Sequence, residues 1–270
     1  MNNIVFYSGD NLRHKYIADK LLSKKYNFYW VITKRKKKIS FKKKISKRDQ
    51  KFLDIHNRKR ILAEKKFFNN SGKSAFKYSK KKIYIKENSD SNKIIINFVK
   101  KIKPKIFITY GCKKIDIEKI KKRIKFRCYF WNIHAGFSPW YRGTITHFWP
   151  SYMLEPEKTI MTMHEITNDI DWGPVIDQTG TKLKKNDNLH ELSCRAVYTF
   201  GKSLKKKIEF SCRTKKKLIG IPHKSHGQIW TNKMWEPKHL NLIYKTFKDK
   251  IVEYCIKNKT IKKINLKSIF

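Results

Sequence analysis

Three polar side chains in this sequence could do chemistry together. Residues 127–134 read as an apolar strand, and alternate residues of a strand share a face, so Asn132 and His134 point together while Ile133 points away. A carboxylate, Asp171, stands at a turn in the run Ile170-Asp171-Trp172-Gly173-Pro174, between two apolar stretches. An amide donor, an imidazole that gives or takes a proton and a carboxylate that orients it suit attack by a neutral amine on a carbonyl. Such a reaction passes through a tetrahedral oxyanion and needs no covalent enzyme intermediate. Each residue also has a plainer reading: Asn132 and His134 as core groups satisfied by backbone, Asp171 as an ordinary turn residue. A zinc site from His134, His147, His164 and Asp171 is a rival. However, His164-Glu165-Ile166-Thr167-Asn168 lacks the second histidine of a helical zinc motif and falls on a strand, so no metal is expected.

The surrounding elements explain how such residues would meet. Residues 3–7 read as a strand ending in Ser8-Gly9-Asp10, 14–25 as a helix, and 27–33 as a strand apolar enough to be buried on both faces. Residues 34–51 form a low-complexity basic stretch, read as a loop or insertion, and 51–68 carry a weak helical pattern. A helix over 91–102 places Ile95, Phe98, Val99 and Ile102 on one face and stops at Pro104. Strands follow at 105–110, 127–134, 159–165 and 174–179, with a short helix at 115–124 and a long apolar helix stripe from Leu189 to Leu204. The fold class is α/β: a Rossmann-like open, mostly parallel sheet with helices on both faces, whose sites lie at the carboxyl ends of the strands. Residues 1–205 would form the main domain and 206–270 a small C-terminal extension with an amphipathic helix over 237–256.

Composition bounds the function. The chain has 270 residues, 65 Lys plus Arg against 21 Asp plus Glu, and a formal charge of +44. With 40% hydrophobic and 14% aromatic residues it is no solvated polyelectrolyte. No run approaches the length of a membrane span, and the opening residues lack the apolar core of a secretory signal. Five scattered cysteines suggest no disulfide framework, and a reducing cytoplasm is the expected setting. So basic a chain attracts polyanions whatever its role. Yet only 10 of the 65 basic residues are Arg, the side chain suited to bidentate recognition of bases and phosphates. Non-specific nucleic-acid binding at most is expected. Much of the charge accompanies Ile, Asn, Phe and Tyr as A- and T-rich coding bias would, and the rest would favour an anionic substrate.

The run Asn132-Ile133-His134, then Ser138-Pro139 and Tyr141-Arg142-Gly143, then Asp171-Trp172-Gly173-Pro174, resembles the folate-dependent formyltransferase superfamily. That group includes glycinamide ribonucleotide, methionyl-tRNA and nucleotide-sugar N-formyltransferases. The resemblance covers residues 1–205 and is firmest over 105–180. It implies that Asn132 and His134 polarise the formyl group of N10-formyltetrahydrofolate and stabilise the oxyanion. Asp171 would keep His134 suitably charged and relay the proton. It implies a pterin held near Ile108, Tyr110 and Gly111 and by Thr167, Asn168 and Ile170. For an acceptor amine, phosphate-bearing by the same resemblance, it implies Gly9, Arg13 and His14 after the first strand, with Tyr141, Arg142, Gly143 and His147. Arg13 and His14 also have a plainer reading, as part of a surface turn and helix start.

Departures from the relatives bear on the acceptor. After Gly143 the sequence reads Thr144-Ile145-Thr146-His147-Phe148-Trp149-Pro150, unlike the Ala- and Pro-rich loop usual in methionyl-tRNA formyltransferases. The 65 residues after position 205 are too few for their C-terminal barrel and linker. Residues 221–257, with Trp230, Trp235, His239 and Tyr244, look more like the tails of sugar N-formyltransferases, which shape an acceptor pocket or make dimers. Trp230 would stack on a nucleotide base, or else pack in a core. The expected activity is formylation of the amino group of a nucleotide-linked amino sugar. The alternatives are a methionyl-tRNA or glycinamide ribonucleotide acceptor, or a basic RNA-binding module on a degenerate copy of the fold. Neither the sugar, the nucleotide nor the oligomeric state follows from sequence.

Overall fold

The computed structural model of the protein describes residues 1–34, 45–86 and 91–270. The apolar opening run forms β1 (Asn2–Ser8), followed by α1 (Leu12–Lys20) and β2 (Tyr26–Lys34). In β2 the side chains of Trp30 and Ile32 join one buried cluster while Val31 joins another, the signature of a strand covered on both faces. Ser46 caps α2 (Lys47–Phe68), its hydroxyl accepting the Asp49 amide at 3.1 Å. Then come α3 (Lys73–Tyr78), β3 (Lys81–Lys86), α4 (Ser91–Ile102), β4 (Ile106–Tyr110), α5 (Ile117–Arg123) and β5 (Tyr129–His134). The second half holds β6 (Tyr141–Gly143), α6 (Trp149–Tyr152), β7 (Met161–Glu165), β8 (Val175–Thr179), α7 (Leu189–Arg213), β9 (Gln228–Trp230) and α8 (Ile251–Lys257).

The main sheet has seven strands in the order β3-β2-β1-β4-β5-β7-β8. β1 to β5 are mutually parallel, and β7 runs antiparallel to both β5 and β8. The chain leaves β1 toward one edge through β2 and β3, then returns to pair β4 on the other side of β1. At such a reversal the loops after neighbouring strands diverge and leave a crevice at their carboxyl ends. One sheet face packs Phe6, Trp30, Ile108 and Trp131 against Ile17 of α1 and Leu204 of α7. The other packs Val5, Val31 and Phe107 against Val99 of α4 and Ile120 of α5. Helices therefore cover both faces, as the sequence predicts. Among the described residues no helix is long and apolar enough to cross a membrane.

The sequence reading needs correction toward the C-terminus and in the basic stretch. Residues 35–44 of that stretch lie outside the described residues, and helix α2 already begins at Lys47, inside the expected loop 34–51. Helix α7 runs through position 205 to Arg213, so the expected domain boundary falls within a helix. The expected helix over 237–256 is broken into a 3₁₀ turn (Pro237–His239), a π-helical turn (Leu242–Thr246) and α8. The break is at Lys248 and Asp249, whose φ angles of 49° and 60° are left-handed. There the Asp249 carboxylate accepts the Leu189 amide at 3.1 Å and pairs with Lys59 Nζ at 2.6 Å, tying the extension to α7 and α2. The chain's last residues return to β8: Gln178 donates to the Lys267 carbonyl at 2.8 Å and Ile269 to that of Ile176 at 3.1 Å. This covers an edge that would otherwise present unpaired backbone.

Candidate active site

Asp171 is the centre of a largely buried polar cluster. Its Oδ1 accepts the Asn132 side-chain amide at 3.0 Å and its Oδ2 accepts the Gly143 backbone amide at 2.9 Å. His134 Nδ1 lies 3.2 Å from Oδ2, and His164 Nε2 lies 3.3 Å from Oδ1. Local sequence explains the placement. Asn132 and His134 share a face of β5, and the β5–β7 register sets Asn132 opposite His164. Asp171 takes a left-handed φ of 46°, which aspartate tolerates better than bulkier residues and which turns its carboxylate inward after the exposed Ile170. The three groups read from sequence therefore meet, and a fourth, His164, joins them. Sequence reading weighed His164 only as a zinc ligand. The signal it lacked was the strand register, which only the antiparallel return of β7 supplies.

Hydrogen bonding fixes the orientation of each group. Asn132 must present nitrogen to Asp171, since its oxygen would face a carboxylate, and Thr109 Oγ1 donates to Asn132 Oδ1 at 2.7 Å. Asn132 Nδ2 also lies 3.1 Å from His164 Nε2, while His164 Nδ1 is 2.7 Å from the Glu165 carbonyl. His134 Nε2 lies 2.7 Å from the Tyr141 carbonyl. Both nitrogens of His134 thus face acceptors, and a neutral ring can donate to only one of them. A proton arriving on this ring gains a second hydrogen bond. Burial opposes that charge and prevails, holding His134 below the ordinary histidine value, with Asp171 and the Tyr141 carbonyl pulling the other way. Burial alone would raise Asp171, but His134, His164 and the Gly143 amide together hold it well below the usual carboxylate range.

The segment after β5 supplies the walls. Gly136 leaves room for the His134–Tyr141 contact: a Cβ there would sit 2.3 Å from His134 Nε2 and 2.4 Å from the Tyr141 oxygen. Arg142 Nε donates to the Ile170 carbonyl at 2.8 Å, and its guanidinium lies 4.6 Å from the Trp172 ring centre. Tyr141 donates its hydroxyl to Glu155 at 2.6 Å. Ile170 is 47% exposed, so an apolar surface opens beside the buried carboxylate. Thr167 and Asn168 lie on the same loop, and Lys114, just beyond Gly111, donates to the Asn168 carbonyl. Tyr110 and Gly111 close β4 on the neighbouring strand end, with the Tyr110 carbonyl accepting the Gly9 amide at 3.3 Å.

Several of the side chains expected at the ligand sites are engaged within the protein. Arg13 Nη2 pairs with Glu64 of α2 at 2.7 Å. His14 is buried beneath Gly9 and Gly111, its Nδ1 accepting the Asn11 amide at 3.2 Å and its ring edge-on to Tyr110. His147 is a core residue bonded to Ser193 Oγ at 2.9 Å and lying 3.2 Å from the Ile160 carbonyl, and burial lowers it to about 3. The Ile108 side chain is wholly buried in the sheet core. The half-buried Trp230 ring stacks on Trp149 with centres 4.4 Å apart and lies nearly parallel to Tyr141 at 5.8 Å. Two cavities lie elsewhere and are not lined by the Asp171 cluster. One, of about 570 Å³, adjoins Ile160, Leu183 and Ile264, and the other, of about 350 Å³, adjoins Lys15, Trp30 and Tyr84. Among the described residues no group of three or more His, Cys, Asp and Glu is placed to hold a metal ion.

No protein-family model matches the chain. Among curated proteins it is 31% identical over 147 residues to the bifunctional polymyxin resistance protein ArnA of Wigglesworthia glossinidia brevipalpis, covering 53% of this chain and 22% of that protein. It is 30% identical over 129 residues to the methionyl-tRNA formyltransferase of Prochlorococcus marinus (strain MIT 9215), covering 48% of this chain and 38% of that protein. The matched stretch thus spans less than two fifths of either relative. Among solved structures, the N-formyltransferase of Helicobacter canadensis, in complex with folinic acid and dTDP-3-aminofucose, matches with a TM-score of 0.55 at 17% identity, over 97% of this chain and 84% of that one. The formyltransferase PseJ of Anoxybacillus kamchatkensis, in complex with UDP-4,6-dideoxy-4-formamido-L-AltNAc and tetrahydrofolate, matches with a TM-score of 0.53 at 18% identity, over 93% of this chain and 96% of that one. Sequence relatives and fold agree with the resemblance carried by the motifs: this chain has the fold of the formyltransferase superfamily.

Proposed function

We propose that the protein transfers a formyl group from N10-formyltetrahydrofolate to a primary amine, the amine being that of a nucleotide-linked amino sugar. The observation that carries this reading is the convergence of Asn132, His134 and Asp171 at the carboxyl end of β5, one strand from the reversal between β1 and β4, in a formyltransferase fold. The acceptor is supported by the two solved neighbours with nucleotide-sugars named in their complexes. The pterin is assigned to the exposed Ile170, the backbone of Tyr110 and Gly111, and the loop of Thr167 and Asn168, which Lys114 ties to the end of β4. No metal is invoked.

The folate donor supplies a formyl carbon whose oxygen becomes anionic as an amine adds, and a nitrogen that departs carrying a proton. At rest the Asn132 amide hydrogens serve Asp171 and His164, so one must be exchanged to reach that oxygen. His134 likewise exchanges its contact to the Tyr141 carbonyl. Apo catalytic sites commonly hold such internal contacts until substrate replaces them. A carboxyl held as low as that of Asp171 is a weak base, so the travelling proton resides on the neutral His134 ring. Asp171 orients that ring and stabilises its charged form, then His134 delivers the proton to the departing nitrogen. Water is excluded by burial: His134 is only 6% exposed.

The test offers purified protein and the formyl donor separately to amino-sugar nucleotides, glycinamide ribonucleotide and methionyl-tRNA, with mass spectrometry of each product. Formylation of an amino-sugar nucleotide alone supports the reading. Formylation of either other acceptor corrects the substrate. Tight salt-sensitive binding of arbitrary RNA with no formyl transfer would instead favour a binding scaffold.

A further inference from the structure

The C-terminal extension reaches into the wall of the site. Strand β9 pairs in parallel with β6, in the register Tyr141 with Gln228, Arg142 with Ile229 and Gly143 with Trp230. β6 is the segment whose Tyr141 carbonyl faces His134 Nε2 and whose Gly143 amide donates to Asp171. Trp230 ties that segment down at three points. Its carbonyl accepts the Thr144 amide at 2.8 Å, its indole N–H donates to the Trp140 carbonyl at 3.3 Å, and its ring stacks on Trp149. The approach at Gly143 is so close that only glycine fits: φ is 94°, and a Cβ would lie 2.2 Å from the Trp230 carbonyl oxygen.

We propose that Trp230 is a positioning residue, holding the backbone of Tyr141 to Gly143 and through it the His134–Asp171 pair in working geometry. This rests on the reading of that pair as a transfer site. Trp230 touches neither His134 nor Asp171, so its effect passes through the two backbone contacts of β6. The groups facing His134 are Asp171 from the loop before β8, His164 from β7 and Arg142 from β6. A wall displaced by about 1 Å is enough to cost roughly a hundredfold in rate. Placement also separates this role from base stacking: a residue that binds the acceptor's base sets KM, whereas one that places the catalytic pair sets kcat.

The experiment compares the full-length wild type with Trp230→Ala and Trp230→Phe. It measures kcat and acceptor KM for the acceptor that the wild type formylates, and follows the imidazole nitrogens of His134 by NMR as pH is varied. In Trp230→Ala, kcat is expected to fall roughly 10- to 100-fold with acceptor KM within about twofold, and the His134 titration to move up toward the ordinary value as water enters. Trp230→Phe, which keeps a stacking ring, is expected to recover most of both. A raised KM with unchanged kcat, or an unchanged kcat, overturns the proposal while leaving the transfer reading intact. If the wild type transfers no formyl group the transfer reading fails, and the titration still decides: an unmoved His134 in the alanine variant overturns the positioning role. Should Trp230→Ala not fold, Trp230→Leu takes its place with the same readings.

Discussion

Two clusters in this molecule each bury a pair of histidines, and they differ in what the rings touch. At the end of β5, His134 and His164 share the carboxylate of Asp171. Between α2, α7 and the C-terminal extension, His190 Nε2 lies 3.2 Å from His56 Nδ1, which also lies 3.0 Å from the Tyr244 hydroxyl. Among the described residues no hydrogen bond joins a carboxylate to either ring of that second pair. Burial lowers His56 to about 4, with Arg60 pushing the same way, and His190 falls well below the ordinary value. Desolvation is common to both clusters and by itself only makes a histidine neutral. A buried anion in contact with the ring is what lets His134 accept a proton without breaking its surroundings. The comparison separates a site from a seal: His134 lies beside the exposed Ile170, whereas His56 is enclosed by Phe148, Trp235 and Tyr244.

The contrast can be broken most severely at Asp171. Asp171→Asn is expected to lower kcat by about 10³-fold, because the amide fills the same space but cannot stabilise a charged His134. It is also expected to lower the melting temperature modestly, because one of the two oxygens that accept the Asn132 and Gly143 amides becomes a donor. Parallel steady-state kinetics and calorimetry read both quantities. His134→Gln is next, with an expected loss of about 10²-fold in kcat. Near-normal turnover by this variant would remove the ring from proton transfer.

The second cluster should answer to pH through stability. Its rings fold in the neutral form, so between the ordinary value of 6.5 and about 4 the unfolded chain binds more protons than the folded one. Stability from His56 is therefore full above 6.5 and is lost as pH falls through that window, by about 3 kcal/mol in all. Urea titrations at pH 7 and pH 4.5 check this, and His56→Leu should flatten the dependence. A slope unaffected by that variant would place the titrating group elsewhere. The smallest expected effect is at Arg13. Arg13→Gln removes the partner of Glu64 and should cost about 1 kcal/mol of stability, with the acceptor KM unchanged. A large rise in KM would return Arg13 to the acceptor site.

Much of the frame was legible from residue pattern. Ile95, Phe98, Val99 and Ile102 marked α4 to its ends, and the alternation on β5 paired Asn132 with His134. Helix α2 was faint because only His56, Ala63 and Phe68 of its 22 residues are buried, leaving a thin apolar stripe. Strand β3, Lys-Lys-Ile-Tyr-Ile-Lys, lies at a sheet edge, where lysines are tolerated and the strand resembles basic linker. The stripe from Leu240 to Cys255 was real, but periodicity does not reveal that Asp249 leaves the helix to meet Leu189 and Lys59. His164 is legible only as a zinc ligand and Trp230 only as a base-stacking or core residue, for a common reason. Their placements depend on strand registers between segments 32 and 87 residues apart, β7 on β5 and β9 on β6, and register over such distances leaves no local trace.

The central claim is that Asn132, His134 and Asp171 form one machine for moving a formyl carbon. A single-turnover experiment with carbon-13 in the donor's formyl group, followed by NMR, addresses it directly. Wild-type protein should move the label from folate nitrogen to acceptor amine, and Asp171→Asn should leave it on folate. Label that stays on folate with the wild type and every amine offered, or that moves equally well in the variant, would contradict it.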